Sequence, residues 1–234
     1  MKSNLDKLLQ IRNLSNGHAA LYFYGEIVDD WYGAWNVEDQ YPERIRQFLK
    51  EAAGKDLDVF INSPGGSVFA AMAIVNMLRR HEGTTTCYID GLAASSASVI
   101  ALCCNKVVMP KNTFLMIHKA WSIAIGNSED FIRYAELLEK CDDGILTVYE
   151  GKMRSGISVD QIRTIAEEET WLTAKEASQY FDIEVTEASV KPAAFAVGKG
   201  KISSAPQAVK DAVELALETE RIRLLNMRKE GDVN

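Results

Sequence analysis

The chain has 234 residues, 47% hydrophobic and 25% charged, with a net charge of −7, so it is long and apolar enough for a substantial globular core. No Lys/Arg cluster is dense enough to hold phosphates, which sets nucleic acid aside as a partner. The N-terminal MKSNLDKLLQIRNLSNG lacks a continuous apolar segment, and no stretch of about 18 uncharged apolar residues occurs, so the expectation is a cytoplasmic chain, neither secreted nor membrane-spanning.

Residues 20–28, ALYFYGEIV, are aromatic and β-branched and predict a strand. YPERIRQFLKEAAGKD places Ile45, Phe48 and Leu49 at helical spacing and stops near Gly54. LDVFINSPGG gives a buried strand ending in a Pro-Gly-Gly turn, and SVFAAMAIVNMLRRHEG follows as an apolar helix with basic residues at its end. The strand TTTCYID then runs into GLAASSASVIALCC, and NKVVMPKNTFLMIHKA holds two short apolar runs around a Pro-Lys-Asn turn. This order predicts a layered α/β fold whose sheet edges carry the functional turns.

Residues 128–153 predict a long amphipathic helix with Phe131, Ala135, Leu138, Ile145 and Tyr149 in one apolar stripe, capped by Asn127 or Ser128. Capping boxes at Ser158/Gln161 and Thr173/Glu176 predict two short helices flanking ETWL. The domain organisation reads as an N-terminal segment (1–19), one domain (20–190), a linker (191–207) rich in Ala, Gly, Lys, Ser and Pro, and a C-terminal tail (208–234) with a charged amphipathic helix over 208–229. Cys87, Cys103, Cys104 and Cys141 have neither disulfide-framework nor metal-ligand spacing, and their apolar surroundings predict buried, reduced thiols.

A serine hydroxyl is a weak nucleophile at neutral pH unless a histidine within reach takes its proton. His18 lies in a polar stretch and reads as a loop residue, and His81 follows MLRR at a helix end, where an imidazole suits the helix dipole. His118 closes the strand TFLMI and is either a satisfied core residue or a base. Its serine candidate is Ser95, after YIDGLAA at the expected strand-to-helix turn. There Gly91 permits a tight backbone path, Ala93 and Ala94 leave room for a substrate, and the first helical turn at Ser95 and Ser96 presents backbone N–H groups to a developing oxyanion. The turn SPGGS could supply another N–H. The spacing is not the G-x-S-x-G elbow of α/β-hydrolases.

FINSPGGSVFAAMAIVNML, GLAAS, MIHKA and ETWLTAKEA, in that order and at those separations, resemble the Clp protease proteolytic subunit family, most nearly its phage and prophage head maturation branch. The resemblance spans about residues 21–185 and implies a Clp protease/crotonase-like α/β fold of stacked β-β-α units with a projecting strand-helix handle, for which residues 128–153 are the candidate. It implies Ser95 as nucleophile, His118 as general base and then acid, and the N–H groups of Gly66 and Ser96 as the oxyanion hole, with Ser98 a bystander. The acidic third member, an aspartate in the familiar bacterial subunits, falls on Glu169, with Glu167 and Glu168 as the neighbouring alternatives. A substrate strand would be bordered by Gly66, Ser67, Val68 and Phe69 and by Lys119, Ala120, Trp121 and Ser122.

The activity implied is that of a serine endopeptidase without cofactor or metal, assembled as a homo-oligomeric ring. Its polypeptide substrates would be capsid or scaffold proteins, and its place the bacterial host cytoplasm or an assembling prohead. Pairing with a Clp unfoldase ATPase is not carried over, because the N-terminal region is short of the family's axial-loop pattern and residues 190–234 exceed the domain's usual end. The chain itself holds no G-x-x-x-x-G-K-[ST] loop. The rivals are a crotonase-like acyl-coenzyme A enzyme, a non-catalytic ring or scaffold subunit, and a Ser-Lys protease using Lys119.

Overall fold

A computed structural model describes residues 17–30, 33–34, 36 and 38–187. The expected linker and C-terminal helix, with most of the N-terminal segment, lie outside the described residues. In chain order the elements are β1 (Ala19–Phe23), α1 (Pro42–Glu51), β2 (Leu57–Ser63), α2 (Val68–Arg79), β3 (Thr85–Ala94), α3 (Ser96–Cys103), β4 (Lys106–Pro110), β5 (Phe114–Ile117), α4 (Ser128–Glu150), α5 (Val159–Glu167), β6 (Thr170–Thr173), α6 (Ala174–Tyr180) and β7 (Glu184–Thr186). The strands form one sheet with the path β1-β2-β3-β4-β7, and β5 and β6 branch from β3. Every pair is parallel except β5 with β6. This is the mixed α/β architecture the sequence predicts, a mostly parallel sheet with helices packed on it.

β3 accounts for the branch. Its first half, Thr86 to Tyr88, pairs with β4, and its last residues, Leu92 to Ala94, pair with β5. Between these halves its register with β2 slips, so that four residues of β3 run past two of β2. Gly91 lies in this slip and inside the strand, which extends to Ala94. The expectation that the strand ends at a glycine turn is therefore corrected: a glycine in a strand interior here marks a change of partner.

Helix starts follow their signals. α1 begins at Pro42, whose missing N–H falls where no intrahelical partner exists. Ser67 caps α2, and capping boxes close on α4 (Asn127/Asp130), α5 (Ser158/Gln161) and α6 (Thr173/Glu176). α3 is buried from Ser96 to Leu102 on every side. That explains its small residues, which let α2 and α4 approach closely.

The predicted stripe on α4 divides in two. Ile145 and Tyr149 enter the core, whereas Phe131 and Ala135 are exposed and Leu138 is half-buried; Ile132, Tyr134 and Leu137, outside the stripe, are exposed beside them. All four cysteines are free, but only Cys87 and Cys104 are fully buried; Cys103, the last residue of α3, and Cys141, within α4, are half-buried. No helix among the described residues is long and apolar enough to cross a membrane.

Phe181 is wholly buried, with its ring 5.7 Å from that of Tyr149 at the base of α4. Phe181→Ala should lower unfolding free energy by about 3–5 kcal/mol, as for other buried aromatic truncations, measured by urea denaturation.

Candidate active site

Ser95 stands between the end of β3 and the first residue of α3 with φ 52° and ψ −127°. That conformation is costly for a residue with a Cβ. Its N–H donates to the Met116 carbonyl on β5 at 2.9 Å, and its own carbonyl accepts from the Ser98 N–H at 2.9 Å and the Ser98 hydroxyl at 2.6 Å. The Ser95 N–H is thus occupied, and of the two serine amides expected to face an oxyanion only that of Ser96 remains. The Ser98 hydroxyl also lies 2.7 Å from the Tyr149 hydroxyl and joins the serine turn to the base of α4.

His118 follows directly on β5, and its Nε2 lies 2.7 Å from Ser95 Oγ. The two residues sit at the ends of adjacent parallel strands, since Ala94 pairs with Met116. Burial pushes the imidazole below its ordinary range, although the charges of Glu169 and Asp142 pull the other way. A neutral His118 therefore prevails at neutral pH.

Glu169 is placed by β6. The antiparallel register ends at Ile117 opposite Thr170, so His118 and Glu169 flank its last pair, and the Glu169 charge acts on the imidazole. Glu169 has φ 49° and follows Glu168, the C-cap of α5, with its N–H donating to the Ala166 carbonyl at 3.2 Å. Glycine usually fills such a left-handed position after a helix. Among the described residues, Ser95 and Glu169 are the non-glycine residues with positive φ. Glu167 and Glu168 are exposed, and Glu169 is half-buried.

The turn after β2 packs against the serine turn. Gly65 has φ 96° and Gly66 φ 143°. A Cβ on Gly65 would lie 2.6 Å from the Ala94 carbonyl and 2.9 Å from Ser96 N, so the two turns are in contact. A Cβ on Gly66 would lie 2.1 Å from the Ile27 carbonyl. The bridge to Ile27 uses the Gly65 carbonyl and the Ser67 N–H, which leaves the Gly66 N–H outside that ladder.

The residues expected to border a substrate meet different fates. The Ser67 hydroxyl is engaged as the α2 cap and with Asp29, at 2.5 Å. Phe69 and Trp121 are 63% and 64% exposed. The Ala120 N–H is taken by Asp142 at 2.7 Å.

Of the other histidines, His18 stands 3.1 Å from Asp58, and His81 bonds the Lys55 carbonyl at 2.6 Å instead of capping its own helix. A separate surface cavity of about 390 Å³ between α1 and α2, lined by Arg46, Lys50, Met77 and His81 among others, shares no residue with the site. Among the described residues no cluster of histidine, cysteine or carboxylate groups could hold a metal ion.

Sequence reasoning missed Asp142 and Tyr149 as neighbours of the site. A signal was present, because Asp142, Ile145 and Tyr149 recur at helical spacing and put a carboxylate on the buried face of α4.

A family model described as Clp protease matches residues 35–183. Relatives named ATP-dependent Clp protease proteolytic subunit include one from Bacteroides fragilis, 32% identical over 130 residues, covering 54% of this chain and 61% of the relative. One from Bacteroides thetaiotaomicron is 28% identical over 163 residues, covering 68% and 70%. One from Leuconostoc citreum is 31% identical over 147 residues, covering 59% and 71%. The chain thus spans less than two thirds of the length of the Bacteroides fragilis protein.

Because burial disfavours the imidazolium, the His118 ring should titrate with a midpoint below the ordinary 6.5. Folding stability should correspondingly rise with pH as histidine in the unfolded chain loses its proton. An NMR titration of the ring protons checks the midpoint.

Proposed function

The chain belongs to the Clp protease family, and from that membership we propose that it is a serine endopeptidase with Ser95 as nucleophile, His118 as general base and Glu169 as the acid that orients it. The observation that carries the reading is the 2.7 Å contact of Ser95 Oγ with His118 Nε2 at a left-handed strand-to-helix turn. The neutral ring carries its proton on Nδ1, and Nε2 takes the Ser95 proton as Oγ attacks the scissile carbonyl carbon. The amides of Gly66 and Ser96 receive the developing oxyanion. Collapse of the tetrahedral intermediate expels the amine, which collects the proton from Nε2. Water then repeats the sequence on the acyl-enzyme, with its proton passing to His118. A peptide added as a strand would run between the Gly66–Phe69 and Lys119–Ser122 segments.

Ser95→Ala should lower kcat by about a thousandfold or more, and Glu169→Gln by a similar factor, while Glu167→Gln and Glu168→Gln stay near wild type. Glu169→Gly should lose activity without losing thermal stability, because glycine relieves the left-handed backbone. Covalent labelling of Ser95 by a fluorophosphonate separates this reading from an acyl-coenzyme A enzyme, which would leave Ser95 unlabelled.

The exposed apolar tip of α4 supports assembly into a homo-oligomeric ring through handle contacts between copies. The glutamate in the triad position supports the phage or prophage branch, with capsid or scaffold polypeptides as substrates in the host cytoplasm. Ile132→Glu, on a residue 61% exposed, should leave the monomer folded and lower the particle mass in light scattering at micromolar concentration. A wild-type monomer would remove the assembly reading.

A further inference from the structure

Asp142, in the buried half of α4, is only 6% exposed. Its Oδ1 accepts the Ala120 N–H at 2.7 Å. Its Oδ2 is buried without a hydrogen-bond partner, and the nearest cation, Lys119 Nζ, stands 3.6 Å away, beyond hydrogen-bond reach. A carboxylate held so far from water with half its lone pairs unused is costly, and an apolar side chain at this core position would avoid that cost. Asp142 shares a narrow cleft with His118, Lys119, Tyr149 and Arg163. Its acceptor contact fixes the second residue after the histidine, while the residue between, Lys119, donates its N–H to the Ala166 carbonyl at 3.1 Å. The segment leaving β5 is therefore clamped from α4 on one side and from α5 on the other.

We propose that Asp142 is a positioning residue for the Ser95–His118 pair, a second acid that clamps the His118–Ala120 segment through Oδ1 and balances the imidazolium through its charge. This rests on the reading of His118 as the base for Ser95. The charged and titratable groups around the imidazole are Lys119 on its own segment, Asp142 and the Tyr149 hydroxyl on α4, Arg163 on α5 and Glu169 before β6. Arg163 is engaged by Asp143 at 3.1 Å, so Lys119 is the cation that faces Asp142. Both Asp142 and Glu169 favour the protonated ring. Two carboxylates rather than one thus oppose the burial that would otherwise leave His118 too weak a base to hold the serine proton in the transition state.

The test compares Asp142→Asn and Lys119→Met with wild type in the full chain, on one fluorogenic peptide across pH. Asp142→Asn keeps an oxygen for the Ala120 N–H and removes only the charge. It should lower kcat about tenfold with KM held within about twofold, and move the acid limb of the kcat profile to lower pH. Lys119→Met removes the opposing cation and should move that limb to higher pH. A limb that stays put in Asp142→Asn, or a loss confined to KM, reduces Asp142 to a structural support and overturns the proposal.

His118 ring titrations by NMR on the same variants give the same two directions without substrate and also serve if a variant folds poorly enough to cloud the kinetics. Fluorophosphonate labelling of wild-type Ser95 keeps the two readings apart. Absence of labelling would sink the hydrolase reading, whereas an unmoved His118 midpoint in a labelled enzyme would sink only the role of Asp142.

Discussion

The contact between two turns, Gly65–Gly66 after β2 and Ala94–Ser96 after β3, is the constraint on which the rest of the site depends. A Cβ on Gly65 would lie 2.8 Å from that of Ser95, so the pair of turns closes only with glycine there. Bringing two parallel strand ends this close brings the Ser96 amide beside the glycine backbone. β3 reaches this point because it slips against β2 at Asp90–Gly91 and takes β5 as a new neighbour. The same change of partner delivers His118, because β5 ends one residue before it. One backbone event, the slip in β3, thus sets the serine, the amides and the histidine together.

Strain at Ser95 and Glu169 fits this picture. Each left-handed non-glycine residue costs on the order of 1–3 kcal/mol and persists only where its surroundings over-determine it. Ser95 is held by Met116 on one side and by the Ser98–Tyr149 hydroxyl chain on the other. Glu169 is held between the end of α5 and the start of β6, whose pairing with β5 is only four residues long. At both positions a glycine would be easier for the backbone, and these two strained positions carry the side chains proposed as nucleophile and orienting acid.

What was legible in the sequence follows from how local each signal is. The capping boxes at Ser158 and Thr173, the cap at Asn127 and the Pro-Gly-Gly turn are read within a few residues, and all three appear where the pattern puts them. The division of β3 between two partners is non-local, so Gly91 looked like a terminus when it is a bend within a strand. β7 is three residues with half-exposed side chains and carries no pattern of its own; it exists because β4 offers an edge. Around the site, Ser95 and His118 were readable as residues but not from local pattern as neighbours, since nothing in the 22 intervening residues states that β3 and β5 pair. Asp142 was hidden by its setting in EKCDDGIL, where one aspartate faces solvent and the next-door one faces the core.

α4 joins these levels of the structure. Its 23 residues make a rod of about 35 Å. The first half is sustained by local terms, the Asn127 capping box and the Asp130–Arg133 pair, yet it carries apolar side chains that water does not favour. The second half is seated in the core by Ile145, Val148 and Tyr149. Those last turns are also where Tyr149 meets Ser98 and Asp142 meets Ala120, one contact behind the serine and the other beyond the histidine. A close-packed interior does not deform continuously, so a shift in the seat of this helix cannot be absorbed locally without moving one of those two contacts. The exposed tip and the contacts behind Ser95 and beyond His118 therefore belong to one packed element, so a partner seated on the tip would act on a helix whose base makes both contacts.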